Sequence, residues 1–192
     1  SFPFFVGCKY DGVVTLIRAY QLTKNEKYLE GAKKALDFSV TLTREHDYNG
    51  KPAGYIHYNN KGKLGGTGMI LVAIMKYRNE TNDKSYDEYI KKYVRHILSR
   101  IYKTGEMLGY YIHPQVQNGQ PLINMNDEER RFTFSFYYPG EALLGLALFA
   151  NNFKMGIAGL AGTGFLYAAK SFVGDGQAAL IDAAVQLLGM IS

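Results

Sequence analysis

Two carboxylates occupy matching places in a repeated sequence pattern. Asp11 opens the segment Asp11–Tyr20, and Glu141 is the second residue of a related segment that starts at Gly140. Two carboxyl groups placed across one cavity can act as general acid and general base. The same residues also suit helix starts, where negative charge complements the helix dipole. The sequence leaves both roles open.

Two aromatic segments supply a second set of candidates. Tyr55–Tyr58 and Tyr110–His113 each place a tyrosine two residues before a histidine. Alternate residues share one face of a strand, so each such pair of side chains points the same way. These side chains could line a binding site, or the tyrosines could face the core of a β-hairpin. His57 and His113 lack a third ligand at a diagnostic spacing, so no metal site is expected.

A charged run leads into the third copy of the repeat. Asp127–Arg131 is followed by an aromatic run that alternates with polar residues from Phe132 to Tyr138. The guanidinium of Arg131 could bind a carboxylate through two parallel hydrogen bonds. A solvated charged turn is the more usual role of such a run. The alternation predicts an extended lead into the next helix.

The composition of the chain excludes several classes of partner and site. The chain has 192 residues and a net charge of +5. Basic residues are spread along it, whereas nucleic-acid-binding proteins usually collect them on one face, so no nucleic-acid partner is expected. Cys8 is the single cysteine, which excludes an intrachain disulfide and a Cys-rich zinc site. No cofactor is expected, and the compartment stays open.

The repeat itself predicts helices. Each copy has a turn-forming residue, about two apolar turns and an aromatic ring, the pattern of a helix that packs within a hairpin. Inner helices are predicted over 11–22 and 67–79 and from Gly140 onward, with outer partners over 25–43 and 84–102. The long connections 44–66 and 104–136 are predicted to contain short strands.

The turn Thr23–Leu29, of the form Thr-x-x-x-x-Tyr-Leu, joins the first inner helix to its outer partner. With the Gly-Glu-Ala-Leu-Leu start at Gly140, it resembles the hairpins of (α/α) toroids. These include six-hairpin glycosidases, N-acyl-glucosamine epimerases and uronate-processing enzymes. The resemblance covers residues 10 to about 150. It implies a mainly α fold of antiparallel helical hairpins from an incomplete toroid, with short β segments in the loops.

In such toroids the starts of the inner helices and the long loops surround a central cavity. The resemblance therefore implies a carbohydrate-active enzyme, a glycoside hydrolase or a sugar epimerase or lyase, acting on an oligosaccharide that could contain uronate. Asp11 and Glu141 are then the expected catalytic acid and base. The expected substrate-binding residues are His57, Tyr111, His113, Arg131 and Tyr137.

The end of the chain departs from the repeat. We expect a hairpin-repeat domain over 1–153 and a low-charge, Gly/Ala-rich helical hairpin over 154–192. That tail could complete the fold, bind a partner or a membrane surface, or be foreign to the domain. Its uncharged run from Met155 to Ala169 has 15 residues, fewer than the roughly 20 of a conventional transmembrane helix. The alternative function is a non-catalytic helical-repeat scaffold or a domain fragment that binds a protein partner or another copy through residues 155–192.

Overall fold

A computed structural model describes residues 5–58, 61–101, 107–112 and 137–152. Its helices are α1 (Phe5–Thr23), α2 (Lys27–Val40), α3 (Leu64–Thr81), α4 (Asp87–Ser99) and α5 (Tyr137–Asn152). Its strands are β1 (Thr43–Tyr48), β2 (Lys51–Tyr58), β3 (Lys61–Lys63) and β4 (Tyr110–Ile112). The mainly α class and the short strands in the connections are confirmed. The toroid stays a prediction.

Helix starts differ from their predicted positions. Helix α1 begins at Phe5, so Asp11 lies in its second turn and its side chain is exposed. The alternative prediction that Asp11 lies at a helix start is therefore wrong. Helix α3 begins at Leu64 rather than at residue 67, with Gly65 and Gly66 inside its first turn.

Helix α3 is the centre of the fold. It contacts all four other helices, with α1 and α5 as its largest helical neighbours. The run Ile70–Met75 is buried without interruption. Because partners surround it, this helix has no wide polar face, unlike the amphipathic outer helix α4. None of the helices in the described ranges is long and apolar enough to span a lipid bilayer.

Glycines let α3 and α5 approach closely. A Cβ on Gly68 would lie 2.6 Å from the backbone nitrogen of Ala142 and from the carbonyl oxygen of Glu141. A Cβ on Gly145 would lie 3.0 Å from the carbonyl oxygen of Gly68. The absence of these methyl groups brings the start of α5, with Glu141, against the start of α3.

The strands form one antiparallel sheet in the order β1-β2-β3-β4. The first hairpin turns at Asn49 and Gly50, which have φ of 55° and 74°. Positive φ at both central residues is what a tight hairpin turn compatible with strand twist requires, and Asn-Gly supplies it at low cost. Strand β3 runs directly into α3, so the sheet fixes where that helix begins.

The turn between α3 and α4 is closed by a two-point ion pair. Arg78 Nε donates to Asp87 Oδ1 at 2.7 Å and Nη2 donates to Oδ2 at 3.2 Å. Both side chains are mostly shielded from solvent, with 18% and 24% exposed. We expect Asp87→Asn to lower the free energy of unfolding by about 1–2 kcal/mol, because charge-assisted bonds exceed neutral ones. Urea denaturation measures this.

Glu88→Gln is the matched control, since Glu88 lies in the same first turn of α4 and pairs with Lys91 at the surface. Surface pairs contribute little, so this variant should change the free energy of unfolding much less. Equal effects of the two substitutions would mean that only the helix dipole is involved.

Candidate functional site

Asp11 and Glu141 lie near enough to interact electrostatically. Burial raises the pKa of Glu141, and the negative charge of Asp11 raises it further. Asp11 lies in α1 and Glu141 lies in α5, and both helices pack against α3. Asp11 is exposed and Glu141 is half-buried. We call these two residues the carboxylate pair.

The first turn of α3 packs against the side chain of Glu141. A Cβ on Gly65 would overlap Glu141 Oε2 and would lie 2.6 Å from Tyr138 Cδ1. Lys63, the residue before α3, places its Nζ 5.8 Å from the centre of the Tyr138 ring. N–H groups in a first helical turn lack intrahelical acceptors and favour negative charge. The start of α3 thus lies beside the Glu141 carboxyl group, and Lys63 lies near the neighbouring Tyr138 ring.

The two carboxyl groups of the carboxylate pair lie in different surroundings, one exposed and one half-buried. Two carboxyl groups whose surroundings separate their proton affinities can divide the roles of acid and base. Glu141 suits the acid, since burial and the neighbouring charge favour its protonated form. Asp11, exposed on α1, suits the base. The arrangement can therefore donate and accept a proton within one region.

A second group of functional side chains lies between the sheet and α4. We define the ring cluster as His46 of β1, Tyr55 of β2, His96 of α4 and Tyr111 of β4. His46 stacks on Tyr111 with centroids 4.6 Å apart, and Tyr55 stacks on His96 at 5.1 Å. Tyr55 meets Tyr111 edge to face at 4.8 Å. A Cβ on Gly62 of β3 would overlap the Tyr55 ring, so this glycine allows Tyr55 to reach Tyr111.

A hydrogen bond joins the two histidines. His46 Nε2 lies 2.9 Å from His96 Nδ1, and His46 Nδ1 lies 3.0 Å from the carbonyl oxygen of Asp47. Because a carbonyl only accepts, His46 Nδ1 donates to it. A neutral His46 must then accept at Nε2, so His96 donates from Nδ1. This tautomer leaves His96 Nε2 as a bare acceptor, and no described residue hydrogen-bonds to it.

His96 is fully buried and uncharged near neutral pH. Burial lowers its pKa well below 6.5, and the positive charges of His46 and Arg100 lower it further. Burial also raises the pKa of Tyr55 to about 12, so this phenol keeps its proton. Within the ring cluster, His96 and Tyr55 are thus neutral near pH 7.

Acidification is expected to destabilise the fold through His96. Its pKa is lower in the folded than in the unfolded chain, so the unfolded chain binds more protons as pH falls below 6.5. The free energy of unfolding should therefore fall by up to about 1.4 kcal/mol per pH unit in that window. Urea denaturation from pH 7.5 to 5 measures the slope. His96→Asn, which does not titrate, should give a shallower slope, whereas parallel curves would contradict this prediction.

The predicted substrate-binding residues lie in different places. His57 Nδ1 donates to the carbonyl oxygen of Leu42 at 2.7 Å, and the same oxygen accepts the His57 backbone N–H. Tyr111 belongs to the ring cluster, and Tyr137 is the first residue of α5. The extended lead predicted up to Tyr138 is therefore wrong at its last two residues, which are helical. His113, Arg131 and the tail 154–192 lie outside the described residues.

Sequence reasoning missed His96 of the ring cluster. His96 lies in a helix rich in Lys and Arg, which favours a solvated position. Its spacing held the signal, because His96 follows Tyr93 by three residues and precedes Ile97 on the buried stripe of α4. Within the described part of the chain, no group of three or more His, Cys, Asp or Glu side chains is placed to hold a metal ion.

Comparison with known families places the chain in one of them. Residues 8–129, well over half of it, match the family model described as D-glucuronyl C5-epimerase C-terminus. The chain belongs to this family. No curated protein and no solved structure gives a significant match.

Membership in the D-glucuronyl C5-epimerase C-terminus family agrees with the predicted carbohydrate-active class. The six-hairpin glycosidase type stays a prediction. The matched region contains Asp11, the ring cluster, most of α1 and all of α2 to α4, and it ends before α5 and Glu141.

Proposed function

We propose that this chain supplies the acid and base of an epimerase that inverts C5 of a uronate residue within an oligosaccharide. The family supports the reaction type and the substrate class. The observation that carries the proposal is the carboxylate pair, in which burial and the charge of Asp11 raise the pKa of Glu141.

The reaction has a defined proton balance. The C5 hydrogen is acidified by the adjacent sugar carboxylate, so a base can remove it and its electron pair moves onto that carboxylate. An acid then delivers a proton to C5 from the opposite face, and the electron pair returns to form the new C–H bond. Only the C5–H bond is broken and re-formed and every glycosidic C–O bond stays intact, which distinguishes epimerisation from hydrolysis and elimination. Two groups on opposite faces of C5 are required.

The described residues can fill these roles. Asp11 takes the proton in one direction, and Glu141 in its protonated form donates from the other side. Lys63 and the first turn of α3 provide positive potential where charge accumulates on the sugar carboxylate. For the reverse reaction the two carboxyl groups exchange roles.

Two of the other predicted residues keep their proposed substrate-binding roles. Tyr137 begins α5 four residues before Glu141, and Arg131 remains our candidate for binding the sugar carboxylate. His57 is a weaker candidate than these, because its Nδ1–H is already used by the Leu42 carbonyl.

Deuterium exchange tests this function. The natural protein that contains these residues is incubated in D₂O with glucuronate-containing oligosaccharides, and the sugars are examined by NMR. Epimerisation predicts deuterium at C5 and the appearance of the C5 epimer, without chain cleavage. New reducing ends would indicate a hydrolase, and unsaturated ends a lyase. Neither exchange nor product from a protein that melts cooperatively would favour the scaffold function.

A further inference from the structure

Hydrogen bonds connect the strands of the ring cluster to the first turn of α3, which lies against Glu141. The Leu64 N–H at the start of α3 donates to the Gly109 carbonyl beside β4 at 2.9 Å. Thr67 Oγ1, still near the start of α3, accepts the backbone N–H of Ile56 in β2 at 3.3 Å. The start of α3 is therefore tied to the two strands that carry Tyr55 and Tyr111.

Tyr111 is held from several directions. It pairs with Gly62 in the β3–β4 register. Its ring contacts His46 and Tyr55, and it meets His96 edge to face at 5.4 Å. The guanidinium carbon of Arg100 lies 5.1 Å from the ring centre. The position of β4 against β3 thus depends on side chains from β1, β2 and α4.

The bond between the histidines fixes these rings relative to one another. It joins β1 to α4 across 50 residues of sequence, and His96 has no exposed surface. The bond is directional and its His96 end is buried, so losing it would leave the His96 donor without a water partner, which disfavours other arrangements of the two rings. Apolar contacts alone would allow the rings to slide.

We propose that His46 and His96 are positioning residues for the acid–base site. Their hydrogen bond holds the ring cluster, the cluster holds β4 and β2, and these strands hold the first turn of α3 under the Glu141 carboxylate. Neither histidine needs to touch the sugar. The expected effect of the two histidines on catalysis rests on the proposed function. Their expected effect on the position and titration of Glu141 does not.

Two substitutions of His96 separate the contribution of its hydrogen bond from that of its ring. Asn places a side-chain N–H where His96 has Nδ1–H, so His96→Asn can still donate to His46. His96→Leu has a similar size and no donor. Both variants lose the imidazole ring that stacks on Tyr55, so a difference between them reports the bond.

The readouts are the titration of the Glu141 carboxyl by ¹³C NMR and the steady-state epimerase kinetics of the natural protein. His96→Leu should move the Glu141 midpoint and lower kcat about tenfold with KM nearly unchanged, as expected for misplaced acid–base groups. His96→Asn should restore both values most of the way to wild type. If the leucine variant does not fold, His46→Ala against His46→Gln makes the same comparison from the accepting side.

The outcomes separate the two proposals. An unchanged Glu141 midpoint and kcat in the variant lacking the donor would overturn the positioning role. An equal loss in the leucine and asparagine variants would also overturn it, because the ring rather than the bond would then matter. A moved midpoint together with wild-type protein that shows no C5 exchange would support the positioning role and refute the proposed function.

Discussion

Glu141→Gln is expected to reduce C5 exchange by at least about 100-fold, the scale of a lost general acid or base. Glutamine has the shape of a protonated glutamate, and burial already favours that form of Glu141. The fold should therefore survive, while the proton that must move is gone. Deuterium incorporation under single-turnover conditions measures the step directly.

Asp11→Asn provides a second line of evidence for the same pair. It removes the proposed base, so exchange should fall to a similar extent. It also removes a charge that raises the pKa of Glu141, whose NMR titration should then shift toward 4.5. Glu30→Gln, an exposed change on α2, is the control and should leave exchange at the wild-type rate. Full activity in the Glu141 variant would refute the assignment of the carboxylate pair.

Gly68→Ala is expected to lower the free energy of unfolding by about 1–3 kcal/mol, as overpacking in a close contact does. The new methyl would meet the backbone of Glu141 and Ala142 at 2.6 Å. A backbone cannot turn away as a side chain can, so α3 and α5 must separate. The Glu141 carboxyl should move with α5, and its NMR titration should change as well.

Gly66→Ala is the control for that substitution. It lies two residues away in the same helix, and a Cβ there has nothing within 4 Å. Alanine in open helical space should be neutral or stabilising by up to about 1 kcal/mol. Urea denaturation compares the two variants. If both variants lose the same stability, the close approach of α3 to α5 does not explain the effect of Gly68→Ala.

The sequence predicted the helices better than their boundaries. The outer helix α4 was recognised because its buried side chains Ile90, Tyr93 and Ile97 recur at helical spacing. The start of α3 was placed too late, since Gly65 and Gly66 resemble a turn when no partner is known. Glu141 and Tyr138 occupy the space above Gly65, so this helical position has no room for a side chain.

The two functional clusters differ in how far the sequence reveals them. The equivalence of Asp11 and Glu141 follows from the repeat, so their proximity could be suggested without coordinates. The ring cluster could not be, because its members come from four elements and meet only through strand register and the small size of Gly62. Local patterns do not record a bond such as that between His46 and His96, which are 50 residues apart.

The central place of α3 has a consequence for biosynthesis. Its partners include α1, which precedes it, and α5, which ends about 70 residues after α3 does. At ribosomal rates of 5–20 residues per second, its apolar run waits roughly 4–14 s for the last of these neighbours. During that interval the side of α3 that packs against α5 stays uncovered, so we expect a chaperone to bind the nascent chain there until α5 has emerged.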